Sequence, residues 1–377
     1  MLKRLTKRTA PQVQKSTSLA DLIALHGVGD PGPRVAPASF RSNVVAYRCI
    51  RMISEAAAAV PLAVEEHGAL LADGPWCALL ERPNPDEAGT DFFQEIYAYL
   101  QTHGNAYVEK LTASEDVRAL FHIHPSTVEP FKEGYRLRTK RGERTIYADM
   151  SGRMPLLHLS LWQPVDHKAG LAPLQVAADA IHLHNAACAW NRQLIDNAAR
   201  PSGALVHKGG EGGQNLTPEQ FDRLKEELEA GFTGLRGAGR PLLLDGGLDW
   251  RPMGLTPAEM DFQNLKNSAA RDIALAFGVP PMLLGIPGDN TYANYKEANL
   301  AFWRQTVLPL VGRVSQALAG WLDPGRSMRI VPDLAAVEAL SPERSARLDR
   351  IADADFLTDA EKRAAFGYPP FDSTLNG

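Results

Sequence analysis

Histidine pairs are the residues whose spacing first suggests chemistry in this sequence. His122-x-His124 lies in a segment where apolar and polar residues alternate. On a strand, both imidazoles would share one face and could chelate a metal ion. No carboxylate or thiol accompanies them at ligand spacing, so structural histidines are favoured. His182-x-His184 falls on a predicted helix, where the two side chains point to nearly opposite sides. We therefore predict no metal site.

Motifs for nucleotide binding and catalysis are out of context or missing. Gly27–Gly32 satisfies G-x-G-x-x-G, but prolines within and just after it prevent the helix that a dinucleotide site needs, so a linker is favoured. The sequence has no G-x-x-x-x-G-K-[ST], G-x-S-x-G or H-E-x-x-H string. Asp353 and Asp355 fall on a charge-rich helix, where a solvated face is expected. We predict no catalytic residues, no cofactor and no motor activity.

Composition limits the class of protein. The 377 residues, 45% of them apolar, can form two or three units with their own cores. A net charge of −4 disfavours a protein that grips nucleic acid through a broad basic face. Cys49, Cys77 and Cys188 lie too far apart in sequence for a C-x-x-C site, which predicts a reducing cytoplasm. We expect no export signal and no membrane span.

The first part of the chain predicts an α+β domain. A polar, basic segment over residues 1–39 predicts a mobile arm. Helical spacing of apolar residues runs from Ser42 until Pro61 stops it. A second helix is predicted from Thr90/Asp91 to His103, with Gln94 as the capping partner of Asp91 and Gly104 at the C-terminal end. Alternating segments then predict the strands of an antiparallel meander, at 106–109, 120–124, 135–139, 145–147 and 156–159.

Two long helices are predicted around a small unit. The first is Pro173–Ala199, and the second begins at the capping box Thr256-Pro-Ala-Glu. Between them, strands and one helix form a unit of roughly fifty residues, so we predict a stalk with a small domain at its tip. The apolar stripe of the first helix consists of Val176, Ala180, Leu183, Ala187, Trp190, Leu194 and Ala198.

A polar loop and a last long helix follow the stalk. The loop Gly285–Thr291 leads into a helix from about Tyr292 to Leu322. Pro309 lies inside this helix, and a kink is predicted there because proline removes one backbone donor and clashes with the preceding turn. Helix starts at Ser341 and Thr358 end the pattern.

Several strings, taken in order, resemble the portal proteins of long-tailed, double-stranded DNA phages. The length of this chain and its string Asn290–Tyr295 also resemble the portals of gene transfer agents, which are domesticated phage-like particles. The strings are Glu81-Arg-Pro-Asn-Pro-Asp, His103-Gly-Asn-Ala-Tyr-Val, Ala199-Arg-Pro-Ser-Gly, Gly239-Arg-Pro, Leu244-Asp-Gly-Gly-Leu-Asp-Trp, Phe277-Gly-Val-Pro-Pro-Met-Leu-Leu-Gly and Thr291-Tyr-Ala-Asn-Tyr-Lys-Glu-Ala-Asn.

The resemblance implies a portal-type α+β fold. It has an α/β wing, a two-helix stem that carries a small α/β clip, a kinked tunnel helix and a short helical crown. The implied bounds are arm 1–39, wing 40–171, first stem helix 172–201, clip 202–255, second stem helix 256–280, tunnel loop, tunnel helix and return to the wing 281–340, and crown 341–377.

The resemblance also implies a structural protein with several partners. Portals form rings, dodecameric in the particle, at one capsid vertex, and they assemble in the host cytoplasm. The implied partners are the terminase large subunit, a head–tail adaptor, the major capsid protein and double-stranded DNA that passes through without sequence specificity. At −4 per chain, twelve copies carry roughly −48, so the ring should repel DNA and let it slide.

The resemblance points to three groups of site residues. The DNA-channel residues on the tunnel loop are Asp289, Asn290, Thr291, Tyr292, Asn294 and Lys296. Terminase and adaptor would dock on clip residues Glu226, Glu227 and Arg236, and Pro309 would kink the tunnel helix. The alternatives are an enzyme with a carboxylate or histidine cluster in one pocket, and a sequence-specific nucleic-acid-binding protein with a basic stripe.

Overall fold

The structure of the chain is a computed structural model. It describes residues 42–113, 116–139, 142–149, 152–165, 169–196, 203–207, 217–223, 226, 248–252, 262–288, 292–325 and 327–366. The predicted N-terminal arm lies outside these residues, as do the capping box at Thr256 and most of the clip. No helix in the described part of the chain combines the length and apolar character that crossing a bilayer requires.

Helices and strands alternate in the first part of the chain. In order they are α1 (Val44–Ala58), β1 (Leu62–Glu66), β2 (Ala69–Leu70), α2 (Pro75–Glu81), α3 (Gly89–His103), β3 (Asn105–Ala113), β4 (Asp116–Ile123), β5 (Val128–Phe131), β6 (Gly134–Thr139), β7 (Gly142–Tyr147) and β8 (Leu156–Ser160).

Helices dominate the second part. In order the elements are α4 (Pro173–Val176), α5 (Ala178–Asp196), β9 (Gly203–His207), β10 (Leu248–Pro252), α6 (Phe262–Phe277), α7 (Tyr292–Phe302), a π-helical turn (Trp303–Val307), α8 (Leu308–Leu322), β11 (Met328–Pro332), α9 (Ser341–Ala352) and α10 (Asp359–Ala365).

The main core lies where α1, α3 and α8 meet. Ile53, Phe92, Ile96 and Leu318 are all at most 1% exposed and belong to one apolar cluster. The chain returns to its beginning through β11, which pairs antiparallel with β1 in one sheet. This pairing joins the strand after α8 to the first strand of the α+β domain, and the paired residues Val64 and Ile330 belong to the same core.

The predicted meander is wrong in its topology, although its strands are present. They divide into two separate sheets, of order β4-β3-β8 and β5-β6-β7. A 3-10 turn at Pro125–Thr127 separates the sheets. Proline cannot donate a ladder hydrogen bond, so the chain leaves the first sheet there. Strand β5, which contains Pro130 and has only four residues, was not predicted.

The first predicted stem helix is also divided. Pro173–Val176 and Ala178–Asp196 are separate helices, because Ala177 has ψ near 0° and leaves the regular helical conformation. The buried side of α5 includes Ile181 and Ala187, and α5 packs on α6, whose buried residues are also mainly alanine and isoleucine. Small side chains let the two helices approach closely.

Helix termini follow local sequence signals in some places and not in others. Gly104 ends α3 with φ 70°, and Thr358 and Glu361 form a capping box at α10, both as predicted. The predicted cap of α3 by Asp91 and Gln94 is wrong, since α3 begins two residues earlier after Ala88, which has no side-chain cap. Asp91 instead lies in the first turn, where its charge favours the helix dipole.

Candidate functional site

The predicted channel loop begins from a well-formed helix end. At the end of α6, the Val279 N–H donates to Ala274 O at 2.9 Å and the Gly278 N–H donates to Leu275 O at 3.0 Å. Together these bonds form a Schellman motif, which requires the left-handed φ of 67° at Gly278. Val279 is 1% exposed, so this end of the loop is fixed in the core.

The next residues remain attached to α6. A 3-10 turn at Pro281–Leu284 ends at Gly285 in the left-handed conformation. Ile286 then turns inward and packs against the buried alanines of α6, and the Arg271 guanidinium of α6 donates to Pro287 O. The chain is therefore anchored as far as residue 287, and any excursion into a channel must come from the residues that follow.

The predicted channel residues are only partly within the described chain. Asp289, Asn290 and Thr291 lie outside it, and Tyr292 is the first residue of α7. Asn294 and Lys296 are exposed on α7, within two turns of its start. Their assignment to a DNA channel stays a prediction.

The helix after the loop changes its winding just before Pro309. Trp303–Val307 form a π turn, in which the Leu308 N–H donates to Trp303 O, five residues back. In a regular α-helix the residue at position 309 would donate to the carbonyl of Gln305, and proline has no proton to donate. The wider turn accommodates the proline ring without that hydrogen bond. The kink itself stays a prediction.

The predicted docking unit is described only at its base. Strands β9 and β10 pair antiparallel, from Gly203 opposite Pro252 to His207 opposite Leu248. Residues 218–223 and Glu226 are helical and exposed. Glu227, Arg236 and the glycine-rich turns at 209–213 and 231–239 lie outside the described residues. Two of the three predicted docking residues therefore have no structural description.

Asn84 forms a buried hydrogen-bond centre within the string Glu81–Asp86. Asn84 is 4% exposed, and its Nδ2 donates to Leu120 O of β4 at 3.1 Å and to Glu87 Oε2 at 3.0 Å. The Leu120 N–H in turn donates to Pro83 O at 2.7 Å. This string therefore holds the loop after α2 against β4.

The string His103–Val108 has the same kind of role. Asn105 Oδ1 accepts from the Gly170 N–H at 2.8 Å and lies 2.9 Å from His158 Nε2. Gly104 and Gly170 lie back to back, so closely that an added Cβ on Gly104 would stand 2.4 Å from Gly170 O. Only glycine permits this approach. Burial lowers the pKa of His158 to about 4, and its ring stacks on Tyr107.

The first predicted histidine pair makes contacts inside the α+β domain, and one of its members has a carboxylate partner that the sequence did not reveal. His122 Nε2 lies 3.0 Å from Glu87 Oε1, and its Nδ1 lies 3.4 Å from the Tyr99 hydroxyl. His124 lies beyond the end of β4 and packs edge-on against His103. Burial and the nearby His124 lower the pKa of His103 to about 4. Among the described residues, no group of three or more potential ligands could hold a metal ion.

A polar junction between the wing and the stem was missed by the sequence analysis. Asn43 caps α1, accepting from the Val45 and Ala46 N–H groups. Its Nδ2 lies 3.2 Å from His184 Nδ1 and donates to Asn185 Oδ1 at 2.9 Å, both on α5. Burial and the positive charge of Lys266 lower the pKa of His184, which favours the neutral ring. The sequence contains a local signal only for the N-cap of α1 by Asn43, and none for the contacts of Asn43 with α5.

The chain as a whole is similar to proteins of virus-like particles. An uncharacterized protein of Rickettsia bellii is 40% identical over 89% of both chains. The portal protein of Enterobacteria phage HK97 is 24% identical over 86% of this chain and 78% of its own length. A chain in the neck of a native gene transfer agent particle, computed with C12 symmetry, is 43% identical over 93% of this chain and 98% of its own, with a TM-score of 0.67. Residues 44–367 match the phage portal protein family, and the chain belongs to that family.

Proposed function

We propose that this chain forms the portal of a phage-like particle of the gene-transfer-agent type. Twelve copies form a ring at one capsid vertex, assembled in the cytoplasm of a bacterial host. The ring is a head–tail connector: double-stranded DNA enters through its bore during packaging and leaves through it afterwards. The terminase large subunit and later a head–tail adaptor dock on the clip, and the major capsid protein surrounds the wing.

One observation supports this proposal above the others. The likeness to a subunit of a gene transfer agent neck extends over 93% of this chain and 98% of that subunit. The described elements also occur in the order that a portal requires: an α+β domain, a helix pair around a two-stranded unit, and a long interrupted helix that returns to the first sheet. The low net charge fits a conduit that binds its cargo weakly.

The channel is assigned to the segment after residue 287. The anchored turn from Gly278 to Pro287 and the start of α7 form two fixed ends, and Asp289, Asn290 and Thr291 lie between them. Acidic and small polar residues suit a sliding contact, because a carboxylate repels phosphate while amides and hydroxyls form weak neutral hydrogen bonds. Asn294 and Lys296 continue this lining on α7.

Electron microscopy and a packaging assay test the proposal together. Purified protein should form uniform rings, and particles made without it should lack DNA. Deletion of residues 289–293 should leave ring formation intact, because loop residues away from the core cost little to remove, yet reduce packaged DNA. A chain that forms no ring would refute the portal function. Normal packaging by the shortened ring would refute only the channel assignment.

Charge reversal tests the docking surface on the clip. The variants Glu226→Lys, Glu227→Lys and Arg236→Glu should form normal rings and bind terminase or adaptor more weakly in a pull-down, because rim charges set electrostatic complementarity. The control is Asp349→Lys on α9, outside the clip. It changes the charge by the same amount as the two glutamate variants and should bind normally. Unchanged binding by all three clip variants would place the docking surface elsewhere.

The two alternative functions, an enzyme and a sequence-specific nucleic-acid-binding protein, predict properties that a portal should lack. An enzyme would need a pocket with converging ionisable groups, and the cleft of about 1350 Å³ beside Tyr99, His103 and His124 is where such a site would lie. A sequence-specific binder would distinguish DNA sequences at equal salt concentration. The portal should show neither property. It should also show no DNA-stimulated ATP hydrolysis, since the sequence has no phosphate-binding loop.

A further inference from the structure

The sheet β5-β6-β7, called here the second sheet, packs as a unit of its own beside the first sheet, β4-β3-β8. Its inward-facing residues Val128, Leu137 and Ile146 pack on Tyr107 and Leu156 of the first sheet, in an apolar cluster separate from the main core. A cleft of about 1350 Å³ is lined by residues of the second sheet and of helices α1 and α3. Movement of the second sheet away from those helices would therefore leave the main core intact.

Two histidines hold the second sheet through a ring nitrogen that accepts a hydrogen bond. The Nδ1 atom of His124 accepts from the Ser126 N–H at 3.2 Å, which caps the 3-10 turn that leads into β5. The Nδ1 atom of His158 on β8 lies 3.2 Å from the Tyr135 hydroxyl of β6. His158 Nε2 lies 2.9 Å from Asn105 Oδ1, which can only accept, so Nε2 carries the proton and Nδ1 accepts from the tyrosine. A protonated imidazole donates through both nitrogens, so acid abolishes both contacts.

A third histidine, His103, lies half-buried at the end of α3 and packs edge-on against His124, with ring centroids 5.0 Å apart. The Thr102 hydroxyl donates to Ala98 O at 2.7 Å, so it accepts from His103 Nδ1–H, 2.8 Å away. A second proton on His103 would therefore go to Nε2. It would place a cation in a half-buried site beside another imidazole, which both desolvation and charge repulsion oppose.

We propose that the second sheet is an acid-released flap, held to the rest of the α+β domain by the neutral rings of His103, His124 and His158 and loosened when these rings take up protons. The closed form excludes protons that the open form binds, because burial lowers the pKa of His103 and that of His158 to about 4. A lowered histidine pKa stabilises the closed form above about pH 6.5, and this stabilisation is lost as the pH falls toward 4. One subunit suffices for this device, so it does not depend on the proposed ring.

The other ionisable side chains around the cleft already have partners. The pairs are Arg51 of α1 with Glu55 at 2.6 Å, Arg138 of β6 with Glu129 at 3.2 Å, and His122 of β4 with Glu87 at 3.0 Å. A further ion pair, between Glu109 of β3 and Arg144 of β7 at 2.6 Å, joins the two sheets. The tyrosines against the rings have pKa values raised by burial and stay uncharged; they are Tyr99, Tyr107 and Tyr135. Histidine is the side chain that ordinarily changes its charge between pH 7 and pH 5, so these pairs should hold while the rings take up protons.

Hydrogen exchange of the full-length protein at pH 7 and pH 5, corrected for the pH dependence of the chemical exchange rate, tests the release. The protection of amides in β6 should fall by at least about twenty-fold, which is the effect of one histidine whose pKa changes from about 4 to about 6.5 on opening. Amides of α8 in the main core should stay more strongly protected at both pH values. Unchanged protection in β6 would overturn the proposal, and so would equal protection in β6 and α8, since the sheet would then open only with the whole subunit.

Variants separate the histidines from other causes of release. The side chains in His103→Gln/His158→Gln can still donate hydrogen bonds but take up no proton, so protection in β6 should be nearly equal at the two pH values. His158→Gln alone gives the same comparison if the double variant does not fold, and its fall should be about twenty times smaller than that of the unmodified chain. The matched control Glu109→Gln loses the ion pair to Arg144, so it should lower protection at both pH values and keep the pH dependence. A full fall in the double variant, or its loss in Glu109→Gln, would overturn the proposal.

Discussion

At the scale of single residues, two of the strings that resemble phage portals form hydrogen bonds inside the subunit. Asn84 joins a loop to β4, and Asn105 joins β3 to the residue Gly170 and to His158. Buried amides that satisfy several partners are costly to replace, because each lost bond leaves a buried polar group unpaired. These two strings therefore stabilise the α+β domain. The residues that we propose to contact DNA are others, on the loop after Pro287.

His158 should make the stability of the protein depend on pH. Its pKa is about 4 in the folded chain, against about 6.5 when exposed. The unfolded chain therefore binds a proton between these values that the folded chain does not, and the free energy of unfolding falls as the pH drops. For His158 the expected loss is about 2 kcal/mol between pH 7 and pH 5. Urea unfolding at each pH measures it.

Substitution separates His158 from the other groups that titrate. His158→Gln, which keeps an N–H donor toward Asn105, should flatten the pH dependence by that amount, although its stability at pH 7 is lower. His182→Gln, at an exposed position on α5, should keep the original slope. An unchanged slope in His158→Gln would show that protonation of this ring does not oppose folding.

At the scale of elements, the close approach of Gly104 and Gly170 fixes the junction between α3 and β3. Gly104→Ala would strain a φ of 70° and push Cβ to 2.4 Å from a backbone oxygen. Backbone cannot move aside as a side chain can, so we expect a loss of about 3 kcal/mol or more in unfolding free energy. Gly285→Ala has nearly the same φ with nothing within 4 Å, and should lose only about 1 kcal/mol. Equal losses in urea titrations would contradict this account.

The π turn before Pro309 is a second structural element whose origin can be tested, because we attribute it to the missing backbone donor of the proline. Pro309→Ala restores the missing donor, so the amides of residues 304–309 should gain protection in hydrogen exchange while stability changes by less than about 1 kcal/mol. If the irregular turn sets the direction of α7 and its loop, packaged DNA should decrease. Gln305→Ala, which keeps the proline, serves as control. Normal packaging by Pro309→Ala rings would show that the turn is not needed to place the loop.

The sequence predicts those structural features that are set by neighbouring residues, and it does not predict those that depend on contacts between residues far apart in the chain. The helix end at Gly104 and the cap at Thr358 follow from neighbouring residues and were predicted correctly. The contact between His122 and Glu87 joins residues 35 apart, and that between Asn43 and His184 joins residues 141 apart. No local pattern encodes such contacts. The exposure of the large side chains in the apolar stripe of the first predicted stem helix was missed for a related reason. Periodicity shows which residues share a helix face, but not what covers that face.

At the scale of the whole molecule, assembly multiplies small charges. A single chain at −4 is nearly neutral for its size, but twelve copies carry roughly −48 around one bore. In the ring that we propose, the surface as a whole would repel DNA, and only the residues nearest to the DNA would attract or repel it at contact distance. Changing one channel residue therefore changes twelve contacts at once, and the effect on binding should be much larger than in a monomer.

The variant Asp289→Lys tests whether one substitution, repeated in every copy of the ring, has a large effect on DNA binding. Twelve copies gain about +24 in charge, concentrated where the bore is proposed to be narrowest. Rings of this variant should bind double-stranded DNA more tightly, with a steeper fall in affinity as salt increases, because lysines release counterions from phosphate. Packaging should slow, since a tight contact resists sliding. Asp349→Lys, at an exposed position on α9, changes the net charge equally and serves as control. If both variants bind and package alike, net charge governs DNA passage, and the loop after Pro287 is not the channel constriction.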